Sequence, residues 1–400
     1  MTPHSTSAIP TADWVDPVAM VTDPYPTYRR LLDESPVAWV PALNQYLVTS
    51  HQACRAIDAD QETFSADITT GATAQMARAV GAPPMVNKDD PDHASERQPV
   101  NRTLRPSSMR AHWAPIFERN ARTHLENLRE QGPDRADLNR DYAAPVASQN
   151  LIDLLGFQDV EVEVMRRWSN TFVEGIGNIF DDPELWQRCD DVRAEVDARL
   201  GELVPHYRAH PNESMISAFA NAGMTMTQIA ANVNLTISGG MNEPQHAITS
   251  SVWALDGHRD QRDRVLADPA LWPTVFDETV RWLSPIGYYP RETTRDTVLQ
   301  DVALPARTMV GVMIAAANRD ATVFERADEF DIFRPRHPHL AFGGGVHMCA
   351  GNWAARIGIG EIAVPLLYSE LPRLRVDTRR EVAWNGWVFR GLTTLPITWG

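Results

Sequence analysis

A chain of 400 residues, 43% hydrophobic and 22% charged, is large enough to bury a core around a cofactor, which excludes disordered, collagen-like and disulfide-stapled classes. Asp and Glu number 52 against 37 Lys and Arg, and the net charge of -15 argues against nucleic acid or an anionic membrane as partner. The 3 cysteines, Cys54, Cys189 and Cys349, are too scattered for a disulfide framework and suit a reducing compartment.

No internal repeat or linker-like tract divides the sequence, so residues 1–400 read as a single domain, mainly α with small β-sheets. Met1–Pro10 lacks the basic and apolar regions of a secretory signal. The longest apolar run, Ile229–Met241, is broken by Asn232, Asn234, Thr236 and Ser238, short of a membrane span. The expectation is a cytoplasmic protein without a membrane anchor.

In chain order, Val37–Ser50 (VAWVPALNQYLVTS) alternates as a β-hairpin does. His93 and Arg97, in DDPDHASER, are four apart and share a helical face. A helix is expected over Met109–Gln131, with Trp113, Ile116, Phe117, Ala121, Leu125 and Leu128 on one side. Another should start at Thr227 as N-cap and run toward Leu255. Within it, Pro244 removes an N–H, so a kink or opened turn is expected near Gly239-Gly240-Met241-Asn242-Glu243-Pro244. A third helix surrounds Pro273–Leu283 and carries Glu278 and Arg281 three apart, an ion-pair spacing that solvated faces also show. Strand-like pieces follow at Thr297–Leu304 and Leu392–Trp399. Pro365 interrupts what otherwise reads as helix after residue 352, predicting a kink or a shorter helix.

The most informative segment is Phe342–Gly351, FGGGVHMCAG. Three glycines let the backbone approach a flat macrocycle. Cys349 precedes a helix whose free N–H groups favour a thiolate. His347 offers a donor two residues away. A lone cysteine in such a turn is usually a small buried hydrophobe, but that reading leaves the rest of the pattern unexplained.

This segment resembles the haem-binding loop of the cytochrome P450 family, F-G-x-G-x-H-x-C-x-G. The resemblance extends through DPYPTYRRLL, the His93/Arg97 segment, Glu278/Arg281 with Arg334, Arg291 after SPIGYYP, ANRD at Ala317–Asp320 and HLAF at His339–Phe342. It implies the P450 fold around haem b, with Cys349 as the iron ligand. His93, Arg97, Gly240, Arg291, His339, Phe342, Gly343, His347 and Gly351 would also contact the cofactor. It further implies dioxygen as co-substrate. With no iron–sulfur cysteine cluster or flavin domain visible, electrons would come from NAD(P)H through a separate flavin or iron–sulfur reductase. Arg102, Arg105, Arg110 and Arg356 are candidate docking contacts, though exposed arginines are more often simply solvated.

Family members usually place an acid and an alcohol on the helix above the haem; here Asn242 and Glu243 take those positions. The two would relay protons or orient water while dioxygen reacts, with Glu243 the acid–base candidate and an aid to direct use of hydrogen peroxide. Gly239 and Gly240 would leave room above the iron. The amide–Glu–Pro variant, WNGWVFRG at Trp384–Gly391 and the cysteine loop resemble bacterial guaiacol O-demethylases, although Asn242 replaces their Gln. That resemblance implies a small aromatic ether bound among Val80, Val86, Phe172, Leu235, Gly239, Ile286 and Phe389. Phe172 and Phe389 suit ordinary core packing equally well. Two other readings stay open: a hydroxylase of a terpene or fatty acid, and a non-catalytic haem sensor.

Overall fold

The computed structural model describes residues 9–68, 71–178 and 180–400. Helices dominate, and small sheets lie at the edge. The largest sheet has five strands in the order Val37–Val40, Gln45–Val48, Met309–Val312, Tyr289–Thr293, Phe64–Ser65. The expected hairpin is present, with Val37 opposite Val48 and Val40 opposite Gln45. Its turn ends on Asn44 at φ 51°, a left-handed position that asparagine tolerates. Strand Met309–Val312 joins in parallel, and Arg291 lies opposite Val310, which carries Arg291 toward the cysteine loop. Thr297–Leu299 and Val302–Leu304 form their own hairpin through Gln300 and Asp301, both at positive φ.

The Met109–Gln131 segment opens with a π-helical turn, Met109–Trp113, and continues as α-helix Ala114–Gln131. Trp113, Phe117, Ala121, Leu125 and Leu128 are buried, as the 3.6-residue period predicts. The helix expected from Thr227 begins two residues earlier. Thr225 is its N-cap, because Gln228 returns the hydrogen bond and closes a capping box.

Three π-helical stretches occur among the described residues: Met109–Trp113, Asn139–Ala143 and Arg356–Ala363. Each ends two residues before a proline, Pro115, Pro145 and Pro365. A proline inside a helix lacks an N–H and crowds the carbonyl four residues earlier. Widening the preceding turn accommodates both defects. Pro365 therefore neither ends nor shortens its helix, which runs on as Val364–Glu370. Pro244 has the opposite outcome: the long helix splits into Met226–Gly239 and Asn242–Gly257, with Gly240 and Met241 between them.

The second of these helices buries His246 against Gly391, where an added Cβ would lie 2.0 Å from the ring. Nδ1 of His246 has no partner, and burial pushes its pKa from 6.5 to about 4. A depressed histidine contributes stability that is present above pH 6.5 and lost as pH falls toward 4. The contribution is about 3 kcal/mol. Replacing His246 with glutamine should flatten the fall of the urea midpoint between those pH values; an unchanged slope would contradict the assignment.

Candidate active site

Two walls face each other. One is the pair of helices on either side of the Gly240 break. Leu235 and Gly239, four apart on the first helix, and Glu243, at the start of the second, retain accessibility, as do Thr236, Gly240 and Pro244, while Val233, Asn234, Ile237, Ser238 and Met241 are buried. A Cβ at Gly239 would meet nothing within 4 Å. The other wall is the cysteine loop. Cys349 lies deep in the chain, yet its side chain is accessible, so it faces an internal space. Glu243 combines depth with partial accessibility in the same way. The two are near enough for the Glu243 charge to act on the Cys349 thiol.

The glycines of the loop divide their work. Gly343 sits at φ +64°, and a Cβ there would meet only the Tyr289 hydroxyl, at 3.8 Å. Gly344 and Gly345 instead press on Asp58, at the end of helix His51–Asp58. A Cβ at Gly345 would lie 1.8 Å from the Asp58 carbonyl oxygen, and one at Gly344 would lie 2.9 Å from its carboxylate. Tyr289 donates to the same carboxylate at 2.7 Å. Neither Asp58 nor Tyr289 was flagged by local pattern, since both meet the loop only through the fold. The N–H of Cys349 donates to the Phe342 carbonyl at 2.8 Å and closes the loop. Burial pushes the Cys349 thiol up from its ordinary value; the N–H groups of Gly351 and Asn352 pull it down but do not prevail. The helix terminus thus acts in favour of the thiolate, as its position in the sequence leads one to expect, against the cost of burial.

Beside the loop, four basic side chains converge. The rings of His93 and His347 lie 4.2 Å apart. Arg97 donates to the Met348 carbonyl at 2.7 Å, and Arg291 lies 4.8 Å over the Tyr289 ring. Among the described residues neither arginine has a carboxylate within 4.0 Å, and Nε2 of His347 has no partner. Burial, then the charges of Arg291, His93 and Arg97, lower His347 to about 3. His93 meets the Asp90 carboxylate at 3.1 Å, whereas among the described residues Arg97, Arg291 and His347 have no carboxylate within 4.0 Å, a set that fits a ligand with two carboxylates.

His339 does not join it. Its ring faces Asp277, with Nε2 3.8 Å from the carboxylate, and packs on Phe342. The Phe342 ring stacks on Phe276, under the guanidinium of Arg356. The substrate candidates also divide. An isolated bridge pairs Ile286 with Phe389, and both keep accessible surface, as does Val86. Phe172 is 0% and Val80 1% exposed, so neither can line an accessible space; core packing accounts for Phe172. Gly240 has a packing role as well. A Cβ there would meet Leu151 at 2.6 Å, so the absence of a side chain at Gly240 serves helix packing, while the residue keeps some accessible surface. Asn242 donates to Ser169 at 3.4 Å and accepts from Gln245 at 3.0 Å, so it turns away from Glu243 and no hydrogen bond joins the two.

The family model for Cytochrome P450 matches residues 255–366. The chain is 30% identical over 338 residues to the methyl-branched lipid omega-hydroxylase of Mycobacterium tuberculosis, covering 82% of this chain and 77% of that protein. It is 30% identical over 323 residues to Cytochrome P450 107B1 of Saccharopolyspora erythraea, covering 79% and 77%. This chain belongs to the cytochrome P450 family. The crystal structure of CalO2 superposes with a TM-score of 0.86 at 26% identity, over 98% of this chain and 99% of that one.

A cytochrome P450 uses haem b, dioxygen and electrons from NAD(P)H delivered by a separate redox partner. The donor set fits that group: the accessible thiol of Cys349 would hold the iron, and Arg97, Arg291 and His347, without a carboxylate partner among the described residues, would meet the propionates. Of the four arginines considered for docking, two are already engaged in this P450. Arg110 forms a bidentate pair with Glu361 at 2.6 and 2.8 Å, and Arg356 pairs with Asp277. Arg102 and Arg105 remain exposed. Among the described residues no helix is long and apolar enough to cross a membrane.

Proposed function

We propose that this P450 O-demethylates small methoxyphenols in the cytoplasm, giving catechols and formaldehyde. Haem b held by Cys349, with His93, Arg97, Arg291 and His347 at its propionates, would supply the oxidising chemistry. The methoxy carbon gains a hydroxyl from dioxygen, with two electrons and two protons forming water from the second oxygen atom. The resulting hemiacetal breaks its carbon–oxygen bond and releases formaldehyde and the phenol. Leu235, Gly239, Val86, Ile286 and Phe389 would enclose the ring.

The observation that carries this reading is Glu243 on the accessible stripe. Burial pushes its carboxyl to about 8, and its Oε2 has no partner. At neutral pH it holds a proton it can give toward the space, the relay role expected of Asn242 and Glu243 in place of the family's acid and alcohol. Phe389 supports an aromatic ligand because its loop is held rigidly. The Arg390 N–H donates to Pro285 and the Gly287 N–H to Val388, both at 2.8 Å.

The test is formaldehyde release with guaiacol, 4-alkylguaiacols and syringol in the presence of a reductase. Glu243→Gln should preserve substrate binding and lower turnover by about a hundredfold or more. Wild-type turnover should fall as pH climbs through about 8 and the acid ionises, whereas the variant shows no such fall. Unchanged turnover in the variant rejects the role of Glu243. The name of the M. tuberculosis relative favours a second reading, hydroxylation of a lipid; a spin-state shift with fatty acids and none with guaiacols would select it.

A further inference from the structure

The helix Gly71–Val80 ends in an unusually complete set of caps. The last four carbonyls of a helix have no partner within it. Here all four are satisfied. Gly81 donates from its N–H to Ala77 at 2.9 Å. Arg193, on the long helix Pro183–Ala209, donates to Arg78 and, at 3.4 Å, to Ala79. Asn234 donates through Nδ2 to Val80 at 3.0 Å.

Two residues before Asn234, Asn232 takes the other end of the following loop. Its Oδ1 accepts from the Met85 N–H at 2.8 Å. Its Nδ2 donates to Glu96 at 2.8 Å, and Glu96 also accepts from Gln228 and pairs with Lys88. Side chains two apart leave a helix on opposite sides. The segment between Val80 and Met85 therefore wraps the Met226–Gly239 helix and is fastened on both flanks. Its sequence suits the path: Gly81 turns at φ +99°, and Pro83-Pro84 stiffen the crossing. Asn232 is 0% and Asn234 1% exposed, so both bonds are shielded from water.

This arrangement has a consequence for the ligand. Val86 follows the second fastening directly, and Leu235 follows Asn234. We infer that Asn234 and Asn232 are positioning residues that clamp residues 80–87 to the helix bordering the ligand space, and so set the size of ligand this P450 admits. The inference rests on the reading that Leu235, Gly239 and Glu243 border that space. It does not depend on which ether, if any, is the substrate.

The test uses the haem-loaded protein and two azoles that ligate iron, imidazole and an imidazole carrying a biphenyl group. Asn234→Ala should shift the ratio of their dissociation constants toward the bulky azole by about fivefold to tenfold, the scale of one lost hydrogen bond. Amide hydrogen exchange over residues 73–87 should accelerate in the same variant. Arg193→Ala removes the caps at Arg78 and Ala79 from a less buried position. It should move both readouts in the same direction, and it carries the test if Asn234→Ala does not fold. An unchanged azole ratio overturns the inference, even if both azoles bind more weakly or exchange accelerates, because that pattern marks a structural role alone. Failure of demethylation leaves these readouts intact, so the two conclusions fall separately.

Discussion

Cys349→Ser is expected to fold and yet lose all turnover, together with the thiolate signature of the ferrous carbonyl spectrum. The loop does not depend on the sulfur for its shape. The Cys349 N–H is held by Phe342 at 2.8 Å, its carbonyl accepts from the Asn352 side chain at 2.8 Å, and Asp58 blocks movement behind Gly345. Serine can keep each of these contacts. What serine cannot do is ionise to a soft anionic ligand. No other cysteine can take over. Cys54 and Cys189 are buried, their sulfurs facing the Val48 and Thr171 carbonyls at 3.3 and 3.5 Å, and burial raises both thiols. Circular dichroism would establish the fold, and the carbonyl spectrum would decide the ligand. A variant that retained the thiolate signature would end the assignment of Cys349.

How far the sequence revealed this depends on how far apart the interacting residues lie. The cysteine loop and the hairpin were legible because their chemistry is local: glycines, a histidine and a cysteine within ten positions, or alternating residues about a tight turn. The π-helical turns were not, because a proline within a helix permits either a break or a widened turn. Pro244 and Pro365 took different courses under the same rule. The neighbouring glycine at 240, packed on Leu151, accompanies the break, whereas Pro365 follows a helix held by contacts along its length. Asp58 stayed invisible because nothing in HQACRAID announces a partner nearly three hundred residues away. Asn232 and Asn234 were visible only as interruptions of an apolar run. Two amides in such a helix need buried partners, and that rule alone would have marked them as fastening points. His339 misled for the opposite reason: its motif position was correct, but Asp277 and Phe342 hold its ring away from the propionate cluster.

The second large effect lies away from the chemistry, in the pair that spacing alone made ambiguous. Glu278→Ala should yield protein that is unfolded or unable to retain haem. Glu278 and Arg281 are not on a solvated face; they are 6% and 2% exposed, and Arg334 beside them is 9% exposed. Arg281 forms a bidentate pair with Glu278, both bonds 2.7 Å. The same guanidinium donates to the Asn318 and Ala327 carbonyls at 2.8 Å and to Glu329 at 2.9 Å. Arg334 reaches Glu278 at 3.3 Å. Removing the one carboxylate leaves two buried guanidiniums without their counter-charge, a loss of about 3–5 kcal/mol. A typical domain holds only about 5–15 kcal/mol in reserve. The damage should also reach the iron site. Asn318 accepts from the Leu340 N–H at 2.6 Å through its side chain, Leu340 accepts from Gly343 at 2.8 Å, and the cysteine loop begins there. Arg281→Lys should fail as well, since an ammonium cannot span both carboxylate oxygens and three carbonyls from one plane. Haem content per chain and the thermal midpoint check both variants. A Glu278→Ala protein with full haem and an unshifted midpoint would show that the triad is dispensable, and the route from Glu278 to the cysteine loop would carry no load.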